Sequence, residues 1–196
     1  MIHYNMSEDT RDERKQLLLK ETIEKLSSGN DQIIIKKLSE LKSTGNVVIL
    51  PLILDLLLKN KSEIIAKEVL TFIGQLKDQK CVPVIVQYIT FKKTGKYLAD
   101  LISECWQSGL DFSQHLTIFA ESFIEGDYQV ALESFTVIEE MLWKTTPDSI
   151  DACRRYLLDR KDKIKSDKEL LFKELMKVID SGTTKNAEDY PEFFEK

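Results

Sequence analysis

Residues 46–89 read NVVILPLILDLLLKNKSEIIAKEVLTFIGQLKDQKCVPVIVQYI, and the spacing of their apolar positions decides the fold. Leu50, Ile53, Leu54, Leu57 and Leu58 recur at steps of three and four, which places them on one broad stripe of a helix. A polar break, Lys59-Asn60-Lys61-Ser62, is followed by a second stripe of Ile65, Ala66, Val69, Leu70 and Ile73. Ser62 suits the N-cap of that second helix, because its hydroxyl can accept from an amide in the first turn. So short a connection predicts an antiparallel hairpin with the two stripes facing each other. The pattern then restarts. Pro51 is echoed by Pro83 and PLILDLL by PVIVQYI, while Ala66, Val69, Leu70 and Ile73 fall on Leu98, Leu101, Ile102 and Cys105. Two helices per period in the low thirties is the mark of stacked helical repeats.

Gly74, Leu76, Asp78, Val82, Pro83, Ile85 and Ile89 spell G-x-L-x-D-x-x-x-V-P-x-I-x-x-x-I. This run resembles the junction between units of HEAT-like repeats, the short phycobilisome-lyase type in particular, over about residues 46–108. Such repeats often carry an Asp and an Arg at the inter-helix turn that bond between units. Here the turn from Lys59 to Ile65 holds no Arg. The resemblance implies an all-α fold, an α-α superhelix or armadillo-like solenoid, and scaffold, regulatory or, less often, enzymatic roles; the helices counted along the chain make about five antiparallel hairpins.

Working outward, the first hairpin is expected from a helix over about Glu8 to Ser27, with Leu17, Leu18, Ile23 and Leu26 inward, and a second from Asp31 to about Lys42. Asn30 caps the second, whose inner face is Ile33, Ile34, Leu38 and Leu41, and Ser43-Thr44-Gly45 ends it. Downstream come helices around Val84 to Phe91, Lys96 to Gln107 and Asp111 to Glu125, the last with Leu116, Phe119, Ala120 and Phe123 inward. Gly126-Asp127 precedes a helix running to about Trp143, and Thr146-Pro147 opens another whose inner residues are Ile150, Cys153, Tyr156 and Leu157. Ser166 and Glu169 have capping-box spacing before a last helix with Leu170, Leu171, Leu175, Val178 and Ile179 inward, ending at Ser181-Gly182. Residues 1–182 are thus expected to form one repeat domain with a flexible lead at 1–7, Met6 being a second candidate start. Residues 183–196 form an acidic tail bearing Tyr190, Phe193 and Phe194, suited to docking or to disorder.

Seven glycines and four prolines in 196 residues favour helices over a turn-rich strand fold. Neither a secretory leader nor an apolar run long enough to cross a bilayer is visible, so a cytoplasmic protein without membrane contact is expected. Cys81, Cys105 and Cys153 are far apart, odd in number and set among apolar residues, which predicts buried free thiols. With His3 and His115 the only histidines and no ligand-like spacing, no metal, cofactor or catalytic residue is expected. Asp111 and His115 stand one helical turn apart without a positioned nucleophile, which makes them surface residues rather than a catalytic pair.

From Tyr97 to Trp143 there is no Lys or Arg, while nine acids occur, so the remainder is +4 against a whole of −5. If second helices of the hairpins line a concave side, Lys96, Asp100, Ser103 and Gln107 share one outward face, as do Gln129, Glu133, Thr136 and Glu140. Asp100, Glu104, Gln129, Glu133, Thr136 and Glu140 are therefore the candidate partner-binding residues, with Trp106 or Trp143 at the edge. The partner expected is another protein with a basic segment, on a non-enzymatic scaffold. The alternative is a nucleic-acid-binding or DNA-repair protein, since HEAT-like repeats include alkylpurine DNA glycosylases. The negative net charge opposes it, although Arg154, Arg155, Arg160, Lys161, Lys163 and Lys165 form one local basic cluster. The sequence leaves the oligomeric state open.

Overall fold

Leu50 to Leu57 and Val82 to Ile89 meet the 32-residue echo with matching burial. Leu50, Ile53, Leu54 and Leu57 are inside, and so are Val82, Ile85, Val86 and Ile89. The computed structural model describes residues 6–41, 47–59, 62–92 and 95–189, with side chains for 13–41, 47–59, 62–91 and 95–181, and among these residues it holds helices and no strand. The α-helices are α1 (Met6–Leu26), α2 (Asp31–Leu41), α3 (Leu50–Lys59), α4 (Glu63–Gly74), α5 (Val82–Gln87), α6 (Leu98–Gln107), α7 (Leu116–Glu125), α8 (Tyr128–Met141), α9 (Pro147–Asp159) and α10 (Glu169–Asp189). They form two compact units divided between Phe72 and Ile73.

In the first unit α1 packs on α2 and α3. Asn30 caps α2 as expected, its Oδ1 accepting from the amides of Gln32 at 3.0 Å and Ile33 at 3.3 Å. The buried face is Thr22 and Leu26 of α1, Ile34, Leu38 and Leu41 of α2, Leu50, Ile53, Leu54 and Leu57 of α3, and Ile65, Ala66, Val69 and Phe72 of α4. The inner face of α1 differs from expectation, because Leu17 is 68% exposed and Leu18 and Ile23 also lie outside. Leu17, Leu18 and Leu19 are consecutive and span more than half the circumference of a helix. Which of them faces in is set by the neighbouring helix, and Leu19 keeps step with Thr22 and Leu26. Ile33 and Leu58 turn outward in the same way.

In the second unit the helices sort into two rows. The turn after α5 packs on α7 and α7 on α9; α6 packs on α8 and α8 on α10; the rows meet through α7 with α8 and α9 with α10. α5 is shorter than its stripe predicts, and a π turn, Tyr88–Lys92, follows it. The Thr90 hydroxyl donates to the Val86 carbonyl at 2.9 Å, and such competition within the ladder favours a wider turn. Thr146 caps α9 with Pro147 in its first turn, and Asp127 caps α8, its carboxylate accepting from the Val130 amide at 2.9 Å. At the start of α10 Ser166–Lys168 is a 3-10 turn rather than a capping box. Leu170, expected inside, is 72% exposed, and Lys168 is buried in its place. α10 continues through Gly182, whose cost inside a helix is only about 1 kcal/mol, to Asp189. Tyr190, Phe193 and Phe194, like residues 1–5 and the Ser43-Thr44-Gly45 stop, lie outside the described residues.

Successive loops are tied by polar side chains. Lys77 Nζ donates to the Ser108 carbonyl at 2.7 Å, and the Asp111 amide donates to Gln79 Oε1 at 3.1 Å. Both bonds lie within the second unit and tie the loop after α4 to the loop after α6. Cys81, Cys105 and Cys153 are free thiols and buried; burial pushes Cys153 up to about 12 and raises the other two as well.

Candidate partner-binding face

Packing of α6 on α8 brings together two of the stretches that the charge pattern singled out. Trp106, near the end of α6, donates its indole Nε1–H to Glu133 Oε2 at 3.0 Å. One turn earlier on α8, Gln129 Nε2 donates to the other oxygen of Glu133 at 2.9 Å. The Glu133 carboxylate is thereby oriented by one donor on each helix, which fixes its position more firmly than a free surface glutamate. Neither partner carries charge, so neither neutralises the carboxylate. Trp106 exposes about a third of its surface there.

The remaining candidates fall on the same pair of helices. Asp100 and Glu140 are exposed, and Thr136 is half-buried with its hydroxyl turned back to the Leu132 carbonyl at 3.2 Å. Gln107 and Ser103 bond each other at 2.9 Å, and Lys96 folds its ammonium over the Tyr97 ring at 4.8 Å. Glu104 is half-buried and lies against Gly74, close enough that a Cβ there would displace its carboxylate. Burial first, and the nearby Asp100 second, hold its pKa above the usual carboxylate value. The folded chain therefore binds this proton more tightly than the unfolded chain, and stability falls as pH rises from 4.5 through the raised value. Glu104→Gln removes that cost. Its melting temperature should exceed that of the wild type at pH 8, with the gap closing below pH 4.5; an equal gap at both pH values would exclude the assignment.

Sequence reasoning missed the Trp106–Glu133 bond, because 27 residues separate the partners and no local pattern links them. The α6 and α8 faces were each legible from i, i+4 spacing; their junction was not. Trp143 is 66% exposed beneath the Lys144 ammonium, at 4.6 Å from the ring centroid, and belongs to the surface rather than the core.

Asp111 and His115 are not joined. Asp111 Oδ1 accepts from the Ser113 amide at 2.9 Å, closing the 3-10 turn that leads into α7. Burial pulls the His115 pKa down, with Asp111 opposing. Among the described residues no three His, Cys, Asp or Glu side chains converge as metal ligands would. The three arginines of the basic cluster are engaged within their own unit: Arg154 pairs with Asp180 at 2.8 Å, Arg155 with Asp151 at 3.1 Å, and Arg160 stacks on Tyr156 at 3.8 Å. A wider groove of about 430 Å³ in the first unit, walled by Leu26, Ile34, Leu52 and Leu56, has its Asp55 and Lys59 paired with each other at 2.6 Å.

No helix among the described residues is long and apolar enough to cross a membrane. Comparison with protein-family models, with curated proteins and with solved structures finds no match.

Proposed function

We propose that this chain is a non-enzymatic protein-binding module whose α6–α8 face receives a basic segment of another protein. The observation that carries the reading is the Trp106–Glu133–Gln129 arrangement within a stretch, Tyr97 to Trp143, that contains no Lys or Arg. A carboxylate held beside an exposed indole offers an incoming Lys or Arg both an ion pair and a ring face. The two rows of the second unit support a HEAT-like stacked arrangement within residues 73–196, in which such a face forms part of a continuous surface. Three reduced, buried thiols suit a cytoplasmic setting. Nucleic-acid binding is the weaker reading, since Arg154, Arg155 and Arg160 are engaged by the chain itself and the net charge is −5.

Fluorescence anisotropy with a labelled Arg- and Lys-rich peptide, and separately with a duplex DNA oligonucleotide, tests this across a range of salt. The peptide should bind with salt-sensitive affinity, and Glu133→Lys combined with Glu140→Lys should weaken it roughly tenfold or more. Salt-sensitive binding of the duplex, or peptide binding indifferent to the double reversal, would overturn the assignment.

A further inference from the structure

A second recognition feature lies in the other row, between the π turn and α7. There a cleft of about 80 Å³ is walled by Ile89, Leu98 and Ile118 and bordered by Thr90, Ser122, Glu121 and Glu125. Its volume accepts the end of one side chain and is far below that of a cofactor or metabolite site.

The hydrogen-bonding character of the lining is one-sided. The Thr90 hydroxyl spends its proton on the Val86 carbonyl at 2.9 Å, and the Ser122 hydroxyl spends its own on the Ile118 carbonyl at 3.0 Å. Neither hydroxyl then has a proton left for an occupant, and the lining adds two carboxylates. An occupant that bonds to Thr90, Ser122 or Glu121 therefore brings the donor. The apolar walls in turn suit a stem of methylene groups. Arginine and lysine combine an aliphatic stem with a head that donates and does not accept. Phe91 follows the lining residues Ile89 and Thr90 in the chain and is 78% exposed, which leaves a large apolar ring in solvent one residue beyond the lining.

We propose that this cleft is a socket for one arginine or lysine side chain from an extended segment of a partner protein, with Phe91 covering an apolar residue adjacent to it in that segment. The socket is lined by the π turn, by Leu98 at the head of α6 and by α7, and it includes none of the residues assigned to the α6–α8 face.

The test uses the full chain labelled at isoleucine and leucine methyl groups and titrated with n-propylguanidinium, the arginine head and stem, and with N-propylurea, its neutral isostere. The methyls of Ile89, Leu98 and Ile118 should shift saturably with the cation, and roughly tenfold more weakly with the urea. Glu121→Gln should erase most of that preference. The peptide acetyl-Leu-Arg-Leu-amide should bind roughly fivefold more tightly than the cation alone, an advantage lost in Phe91→Ala. Reversal at Glu133 and Glu140 should leave all of these titrations unchanged, which separates failure here from failure of the α6–α8 reading. Equal response to the urea, or no saturable shift because the chain itself supplies the cation, would overturn the proposal. A peptide advantage that survives Phe91→Ala would overturn the part assigned to that ring.

Discussion

Lys168→Met is expected to cost about 3–5 kcal/mol of stability and to lower the melting temperature by roughly 10 °C. The Lys168 side chain is fully buried, and its Nζ donates to the carbonyls of Phe123 and Ile124 at 2.8 Å and of Gly126 at 2.9 Å. These carbonyls lie at the C-terminal end of α7, where a helix leaves its last acceptors unpaired and its dipole favours a positive charge. Burial, and to a lesser degree Lys165, pull the ammonium below the usual lysine pKa, which is the cost of holding a charge away from water. Three charge-assisted bonds offset that cost. Methionine keeps the length and the apolar stem but leaves three acceptors without donors, each worth about 1–3 kcal/mol when dry. Gly126 belongs to the same arrangement, since a Cβ there would meet the Val130 side chain and the Ser122 carbonyl. Thermal and urea denaturation read the effect; a loss under about 1 kcal/mol would mean that water replaces the ammonium at these carbonyls.

Phe119→Ala should cost a similar amount, about 3–5 kcal/mol, by a different route. Phe119 is fully buried on α7, the helix that packs against both α8 and α9, and meets the Phe112 ring edge-on with centroids 5.7 Å apart at 88°. Truncation removes that ring pair and leaves a cavity that two flanking helices cannot both close. In urea the midpoint should fall with little change in slope, because the surface exposed on unfolding is nearly the same. Trp143→Ala is the matched control. With its ring two-thirds exposed, it should change stability by no more than about 0.5 kcal/mol. A comparable loss from both substitutions would contradict the assignment of Phe119 to the core and Trp143 to the surface.

Much of the fold was legible because its signal is local. The stripes of α3, α5 and α7 repeat at three- and four-residue steps, and Asn30 and Thr146 announce helix starts through the same short-range bonds seen in the structure. Local periodicity decides less where it is degenerate: three consecutive leucines at Leu17 to Leu19 leave the inner face of α1 undecided, and at the head of α10 the apolar stripe points to Leu170 while the buried side chain is Lys168. The candidate face was half legible, as two acidic stretches whose meeting depends on how helices stack.

Composition and periodicity by themselves determined that the chain is helical, where most of its helices begin, and that one stretch is free of cations, because those properties are set within a few turns of backbone. Tertiary structure alone decided that Lys168 is buried, that Trp106 orients Glu133, and that Thr90 and Ser122 line one cleft. Each of these depends on acceptors or walls supplied by residues far away in sequence, so the free energy that places the side chain exists only once the helices have packed.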